Sequence, residues 1–182
     1  SQAFVSGAVL QSNPARAEHT GTSGSGLVAG AIAGLTHLPS PDELVIAGTL
    51  IQGNVAVAVS AVGSGAAGGL LTRITTVTGT AVIGNAAEAG TFSGGGVVNH
   101  NAPMVFENGS IQGNLAVATD PGGLAAGGMV TGYLGPASTS LITSSVVGNT
   151  AIGADAVGGL YQLSPNGSYM LEQSQVDLNI PF

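Results

Sequence analysis

Ile111-Gln112-Gly113-Asn114-Leu115-Ala116 is one copy of a pattern that recurs along the chain: an aliphatic residue, two further positions, Asn, one position and then Ala. A pair of small residues follows each copy, Gly-Gly in four cases out of five, and two apolar residues close the unit. The five copies begin at Leu10, Ile51, Val82, Ile111 and Val146. A repeat of a few tens of residues is typical of solenoids, because only neighbouring units bury the apolar face of each unit.

The repeat is irregular in length. Its successive asparagines lie 41, 31, 29 and 35 residues apart, so loops of variable length fall in every unit. The first copy is the weakest match, because it contains Pro14 and closes without a Gly-Gly pair. The pattern predicts about five irregular coils over residues 10–163.

Composition favours a folded chain without helices. With 182 residues, 44% of them hydrophobic, and a mean hydropathy of +0.45, the chain is long and apolar enough to form one domain with a sizeable core. Its 31 glycines and 8 prolines fall every few residues, and both residue types interrupt helices. We therefore expect a single β domain over residues 1–182.

Short, β-branched segments bounded by Gly, Pro or Asn-Gly predict the strands. We predict them at Glu43–Ile51, Val55–Val62, Leu70–Thr80, Val97–Val98, Met104–Glu107, Met129–Tyr133, Leu141–Val147 and Tyr169–Ile180. The chain is accordingly expected to be all-β.

The repeat favours a parallel β-helix, that is a solenoid, over the alternative, a jelly-roll-like β-sandwich. Equivalent positions of stacked coils lie about 4.8 Å apart, so a recurring Asn can form a ladder of side-chain amides. We predict such a structural ladder at Asn54, Asn85, Asn114 and Asn149. The Gly pair would serve either where the chain bends with positive φ or where it closely approaches the next coil.

The two ends of the chain differ from the repeat region. Residues 1–9 are predicted to be an N-terminal arm or cap, and residues 164–182, placed outside the repeat, a C-terminal cap or an exchanged strand. The apolar side chains that would join subunits are Val176, Leu178, Ile180, Phe182, Phe4 and Val5.

Charge is scarce, and this favours association of the chain with itself. Only 6% of the residues are charged, against about 25% in ordinary soluble domains, and there is no Lys and only two Arg. So few cations argue against nucleic acid and anionic membranes as partners. Leu44–Leu71 is free of charge but contains Gln52, Asn54 and glycines, so no membrane span is predicted.

The sequence offers no clear catalytic or metal-binding constellation. It has no Cys, and His19, His37 and His100 lack the spacing of a zinc site. Glu88 and Asp155 follow Asn85 and Asn149 at comparable places, so they could share a face as a pair of acids. We read them as exposed solubilising residues and predict no enzyme, no cofactor and no metal.

The pattern aliphatic-x-x-Asn followed by Gly-Gly-aliphatic, from Leu10 to Tyr161, resembles the short repeats of polymorphic outer-membrane proteins and other autotransporter-type passenger domains. That resemblance implies a right-handed parallel β-helix displayed outside the cell and used for adhesion or self-association. Ala81–Ala86 and Thr150–Asp155 are also similar to the heads of trimeric adhesins.

These observations together predict an extracellular or cell-surface structural protein that forms a homo-oligomer or polymer, as the subunit of a fibre, sheath or surface layer. One alternative is a monomeric adhesin that binds carbohydrate or a host surface. A less favoured alternative is a polysaccharide-active enzyme.

Overall fold

The structure, a computed structural model, describes residues 2–19, 29–32, 34–37, 43–60, 63–73, 75–133 and 135–182. These residues form 28 strands and no helix, and the chain passes through five parallel sheets in turn before returning to the first. Each sheet therefore contains every fifth strand of the chain.

Three sheets have six strands each. Sheet A contains β1 (Gln2–Ser6), β6 (Glu43–Ala47), β11 (Thr75–Thr78), β16 (Met104–Glu107), β21 (Ser138–Ile142) and β26 (Ser168–Glu172). Sheet B contains β2 (Val9–Gln11), β7 (Leu50–Gln52), β12 (Ala81–Ile83), β17 (Ser110–Gln112), β22 (Ser145–Val147) and β27 (Gln175–Asp177). Sheet C contains β3 (Pro14–His19), β8 (Val55–Ser60), β13 (Ala86–Ala89), β18 (Leu115–Ala118), β23 (Thr150–Ile152) and β28 (Ile180–Pro181).

Two sheets have five strands each. Sheet D contains β4 (Ala29–Ile32), β9 (Ser64–Ala67), β14 (Phe92–Gly94), β19 (Leu124–Ala126) and β24 (Asp155–Val157). Sheet E contains β5 (Leu35–His37), β10 (Leu70–Thr72), β15 (Val97–Asn99), β20 (Met129–Thr131) and β25 (Leu160–Gln162). The all-β prediction and the parallel β-helix are confirmed, the number of coils agrees roughly, and the sandwich does not form.

Residues with positive φ make the corners at both ends of every sheet B strand. Between sheets A and B they are Gly7, Gly48, Gly79, Asn108, Thr143 and Gln173; between sheets B and C they are Ser12, Gly53, Gly84, Gly113, Gly148 and Leu178. The long strands predicted at Glu43–Ile51, Leu70–Thr80, Leu141–Val147 and Tyr169–Ile180 are therefore wrong as single elements, because a left-handed residue turns the chain inside each of them.

The buried apolar side chains form a wide compartment, a narrow compartment and a further cluster on sheets D and E, which contains Ala67, Leu71, Phe92, Val98, Ala126 and Val130. A wide compartment between sheets A, B and E contains large side chains in columns, such as Ile51, Val82, Ile111 and Val146 of sheet B, all fully buried. A narrow compartment between sheets C and D contains alanines: Ala56, Ala58, Ala66, Ala87, Ala89, Ala116, Ala118, Ala125 and Ala151. The Ala of the repeat thus begins the narrow compartment, and the small side chains on both of its faces allow sheets C and D to pack closely.

The Gly-Gly pairs serve close approach. A Cβ on the first glycine of a pair would overlap backbone atoms of the opposite strand in sheet C. For Gly95, the overlapping atoms are those of Leu115. In the first three Gly-Gly pairs, a Cβ on the second glycine would overlap a carbonyl oxygen of the next coil; for Gly96 this is the oxygen of Gly128. Neither glycine has positive φ, so of the two predicted roles the structure supports close approach.

The C-terminal tail belongs to the repeat, and its predicted position outside it is wrong. β27 pairs in register with β22, so Val176 lies beside Val146, and Pro181 of β28 lies beside Ala151. Asn179 then occupies the position of Asn149, to which it hydrogen-bonds. At the other end, β1 and β2 pair with β6 and β7 as strands of the first coil.

Candidate functional site

The repeat asparagines form a continuous ladder at the corner between sheets B and C. We use the term asparagine ladder for Asn13, Asn54, Asn85, Asn114, Asn149 and Asn179. In each of the first five, the backbone N–H and the side-chain Nδ2 both donate to the Oδ1 of the next member. The N···O distances are 2.9–3.0 Å for the backbone and 2.8–3.0 Å for the side chain.

A further Nδ2 hydrogen bond links each asparagine after Asn13 to the coil before it. Asn85 Nδ2 donates to the Ile51 carbonyl at 3.0 Å, and Asn114 Nδ2 to the Val82 carbonyl at 3.0 Å. The acceptor is always the aliphatic residue that opens the previous copy of the repeat. A side chain here needs two donors and one acceptor of this length, which Asn has and Asp lacks.

The structure brings the four predicted ladder residues together, and all four are fully buried. Sequence reasoning gave weak support to Asn13 and missed Asn179. The signal for Asn179 was present, because Val176 precedes it by the three positions that separate the aliphatic residue and Asn in the other copies.

A second row of polar side chains stabilises the corner between sheets A and B. Thr49, Thr80, Ser144 and Ser174 each donate a hydroxyl hydrogen bond to the carbonyl two residues earlier, at 2.9–3.2 Å. Thr80 and Ser174 also accept the backbone N–H of the preceding coil. These hydroxyls were missed, although each stands two residues before the aliphatic residue of its repeat.

The predicted assembly residues lie on the two end coils. Val176 continues the buried sheet B column but is 40% exposed, because no strand follows β27 in that sheet. Leu178 lies at a corner and is 70% exposed, while Ile180 and Phe182 lie on the outer side of sheet C. On the first coil, Phe4 is exposed and Val5 packs against the core of the wide compartment.

Exposed apolar side chains are concentrated at these two ends. In the described ranges, eleven large apolar residues are exposed, and eight of them are on the first or the last coil: Phe4, Val9, Met170, Leu171, Val176, Leu178, Ile180 and Phe182. The other three, Val55, Val59 and Ile152, lie on the outer side of sheet C. Patches of this kind mark interaction surfaces more often than single exposed residues do.

The two acids do not form a pair. Glu88 lies on the outer side of sheet C, in register with Val57 and Val117, whereas Asp155 begins a strand of sheet D. The expected shared face is therefore wrong, because the chain crosses a corner between Asn149 and Asp155 but not between Asn85 and Glu88.

Asp155 instead accepts a hydrogen bond from the Tyr161 hydroxyl at 2.8 Å. Burial raises the pKa of Tyr161, and the hydrogen bond and the charge of Asp155 raise it further. Burial also raises the pKa of Tyr133 and of Tyr169, whose hydroxyl lies 3.1 Å from the Met129 and Tyr161 carbonyl oxygens. All three tyrosines are thus neutral near pH 7.

An open groove runs along the corner between sheets A and B. Its volume is about 390 Å³, and hydroxyl and amide side chains line it, including Thr80, Ser110, Ser145, Gln173 and Gln175. The groove has no charged lining residue. Such a surface offers hydrogen bonds to a polar, uncharged ligand.

In the part of the chain that the structure describes, no three His, Cys, Asp or Glu side chains are grouped closely enough to hold a metal ion. Among the same residues, no helix is long and apolar enough to cross a membrane. No family model matches the chain, and neither a curated protein nor a solved structure is detectably similar to it.

Proposed function

We propose that this protein is an extracellular, self-associating structural protein, the subunit of a fibre, sheath or surface layer. The observation that carries the proposal is the concentration of exposed apolar side chains on the two end coils. Each end also presents five strand edges, those of β1 to β5 at one end and of β24 to β28 at the other. Unpaired parallel edges with apolar columns are templates for further strands.

Charge supports the same function. A net charge of −7 from only eleven charged side chains leaves large areas of the surface without ionic groups. In the described residues the one ion pair between side chains is Arg16 with Glu18, at 3.5 Å and exposed. Close contact between copies therefore requires little desolvation of charge.

The kinship with autotransporter-type passenger domains is part of this proposal. Its support is the parallel coil together with the asparagine corner and the Gly-Gly pairs, which are the features on which the resemblance depends. Display outside the cell follows from that kinship and from a fold held by packing and amide hydrogen bonds in a chain without cysteine.

A monomeric adhesin is the second candidate function. The groove of hydroxyl and amide side chains beside sheet B favours it, because carbohydrate hydroxyls pair with such groups. An adhesin that acts alone would keep one particle size at all concentrations.

Particle size against protein concentration tests the proposal. Light scattering and negative-stain microscopy should show that particles of the wild-type protein become larger as the protein concentration rises. This growth should be greater at higher salt, since salt screens the net negative charge. Val176→Asp places a charge at the open end of the core and should suppress growth. Val147→Asp adds the same charge on the outer side of the neighbouring strand and serves as the control.

A wild-type particle that stays monomeric up to high concentration would contradict self-association. Growth that Val176→Asp and Val147→Asp reduce equally would show that net charge, and not the coil end, governs it.

A further inference from the structure

Resting on the proposed function, we infer that copies join head to tail through the asparagine ladder. Asn179 in the last coil of one copy donates to Asn13 in the first coil of the next copy. The occupant of each open end is therefore a second copy of this chain, in the register that the coils have within one chain.

The asparagine ladder has a direction, and its two ends are complementary. Every member before Asn179 uses its backbone N–H and one Nδ2 hydrogen on the Oδ1 of the next coil. In the described structure nothing accepts these two donors of Asn179, although its other Nδ2 hydrogen reaches the Val146 carbonyl at 2.9 Å. The C-terminal end of the asparagine ladder thus presents two hydrogen-bond donors.

The N-terminal end supplies the matching acceptor. Asn13 donates to Asn54 at 3.0 Å from its backbone and 2.8 Å from Nδ2, but among the described residues no donor reaches its own Oδ1. Its remaining Nδ2 hydrogen needs a carbonyl of the coil before it, and Val176 is the equivalent residue of a preceding copy. Two C-terminal ends would instead place donors against donors.

Apolar columns and strand edges agree with the same register. Leu171 and Val176, exposed by 50% and 40%, end the columns that Val5 and Leu10 begin at the other end of the wide compartment. Sheets A, B and C each have an open edge at both ends. Joining them continues these three parallel sheets, whereas sheets D and E end one coil earlier, at β24 and β25. Because the contact is heterologous, it does not close on itself.

Disulfide crosslinking tests the register, since the chain has no cysteine of its own. Gln11 and Asp177 occupy the same outward column of sheet B, so head-to-tail stacking places their Cα atoms about 4.8 Å apart. This separation suits a disulfide, whose Cα atoms lie about 4.4–6.8 Å apart. The Gln11→Cys, Asp177→Cys double variant should form a series of covalent dimers, trimers and longer species under mild oxidation.

Two controls define the expected result. Val9→Cys with Asp177→Cys offsets the pair by two residues along the strand and should crosslink little. In the Gln11→Cys, Asp177→Cys background, Asn179→Asp removes the side-chain donor, keeps the backbone N–H and should slow crosslinking about tenfold. Asn166→Asp makes the same change in the exposed loop after sheet E and should leave the rate unchanged.

The outcomes separate this inference from the proposed function. If the wild-type protein grows but the double variant gives no covalent species, or only a closed dimer as reciprocal strand exchange would, the head-to-tail joint is overturned and self-association stands. If Asn179→Asp and Asn166→Asp have equal effects, the asparagine ladder does not form the joint. If the wild-type protein does not grow and no crosslink forms, both proposals fail.

Discussion

At the scale of single residues, Asn114 shows why one amide recurs in every coil. Its side chain accepts from the backbone and side chain of Asn85, and it donates to Asn149 and to the Val82 carbonyl. All of these groups are buried, so no water replaces a missing partner. The ladder therefore fixes the register of adjacent coils and also stabilises their contact.

We predict that Asn114→Ala lowers the free energy of unfolding by at least about 3 kcal/mol, because each buried group left without a partner costs about 1–3 kcal/mol. Asn13→Ala, at the exposed end of the ladder, should cost less than about 1 kcal/mol because water replaces the amide. Urea unfolding followed by circular dichroism measures both. Equal losses would mean that the ladder adds nothing beyond a local turn.

Leu178 gives the opposite case, a residue that is poorly suited to its place. Its φ is 51°, in the region that favours glycine, and the equivalent residue two coils earlier is Gly113 with φ 60°. We predict that Leu178→Gly raises the free energy of unfolding by about 0.5–1 kcal/mol. Gly113→Leu, the reverse change at the same corner, should lower it by about 1–2 kcal/mol. Thermal unfolding at a concentration without assembly is the measurement, and a loss of stability in Leu178→Gly would contradict the strain.

At the scale of elements, the Gly-Gly pairs set the distance between sheets. A Cβ on Gly96 would lie 2.8 Å from Cγ2 of Ile111 and overlap the Gly128 carbonyl oxygen. We predict that Gly96→Ala lowers the free energy of unfolding by about 1–3 kcal/mol. Gly122→Ala, where a Cβ meets nothing within 4 Å, should be neutral or slightly stabilising. Equal stability of the two variants in urea would show that the coils separate easily.

The elements also show what the sequence could predict. Ile111 belongs to a buried column, Asn114 forms a corner, and Ala116 begins the narrow compartment. Their spacing in the sequence therefore predicts the coil. The strands of sheet D were not readable, because Ser64–Ala67 and Phe92–Gly94 are small or mixed residues buried on both sides, without polar alternation. The tail was misassigned because Pro181 replaces the usual Ala and no Gly-Gly pair follows.

At the scale of the whole molecule, the structure is one supersecondary unit repeated along an axis, so each coil contacts mainly its neighbours. Stability in such proteins is a sum of coil and interface contributions, and each coil edge has nearly the same chemistry as the next. The candidate assembly surface is for this reason defined by which coil lies at the end of the stack, and not by residues that only one coil has. The apolar side chains of the termini suggest an assembly surface there from the sequence alone, and this stays a prediction. The complementarity of Asn13 and Asn179 is visible only in the hydrogen-bond directions.

Deletion of residues 168–182 distinguishes a repeating edge from a special tail. The deletion exposes β21, β22 and β23, in which Leu141 and Val146, together with Asn149, occupy the columns of Leu171, Val176 and Asn179. We predict that the shortened chain still grows at equal molar concentration, because its new edge offers the same donors and apolar columns. Light scattering measures the growth, and circular dichroism verifies that the remaining coils fold. A folded but monomeric product would instead assign assembly to the tail itself, as strand exchange requires, since exchange needs residues that no other coil supplies.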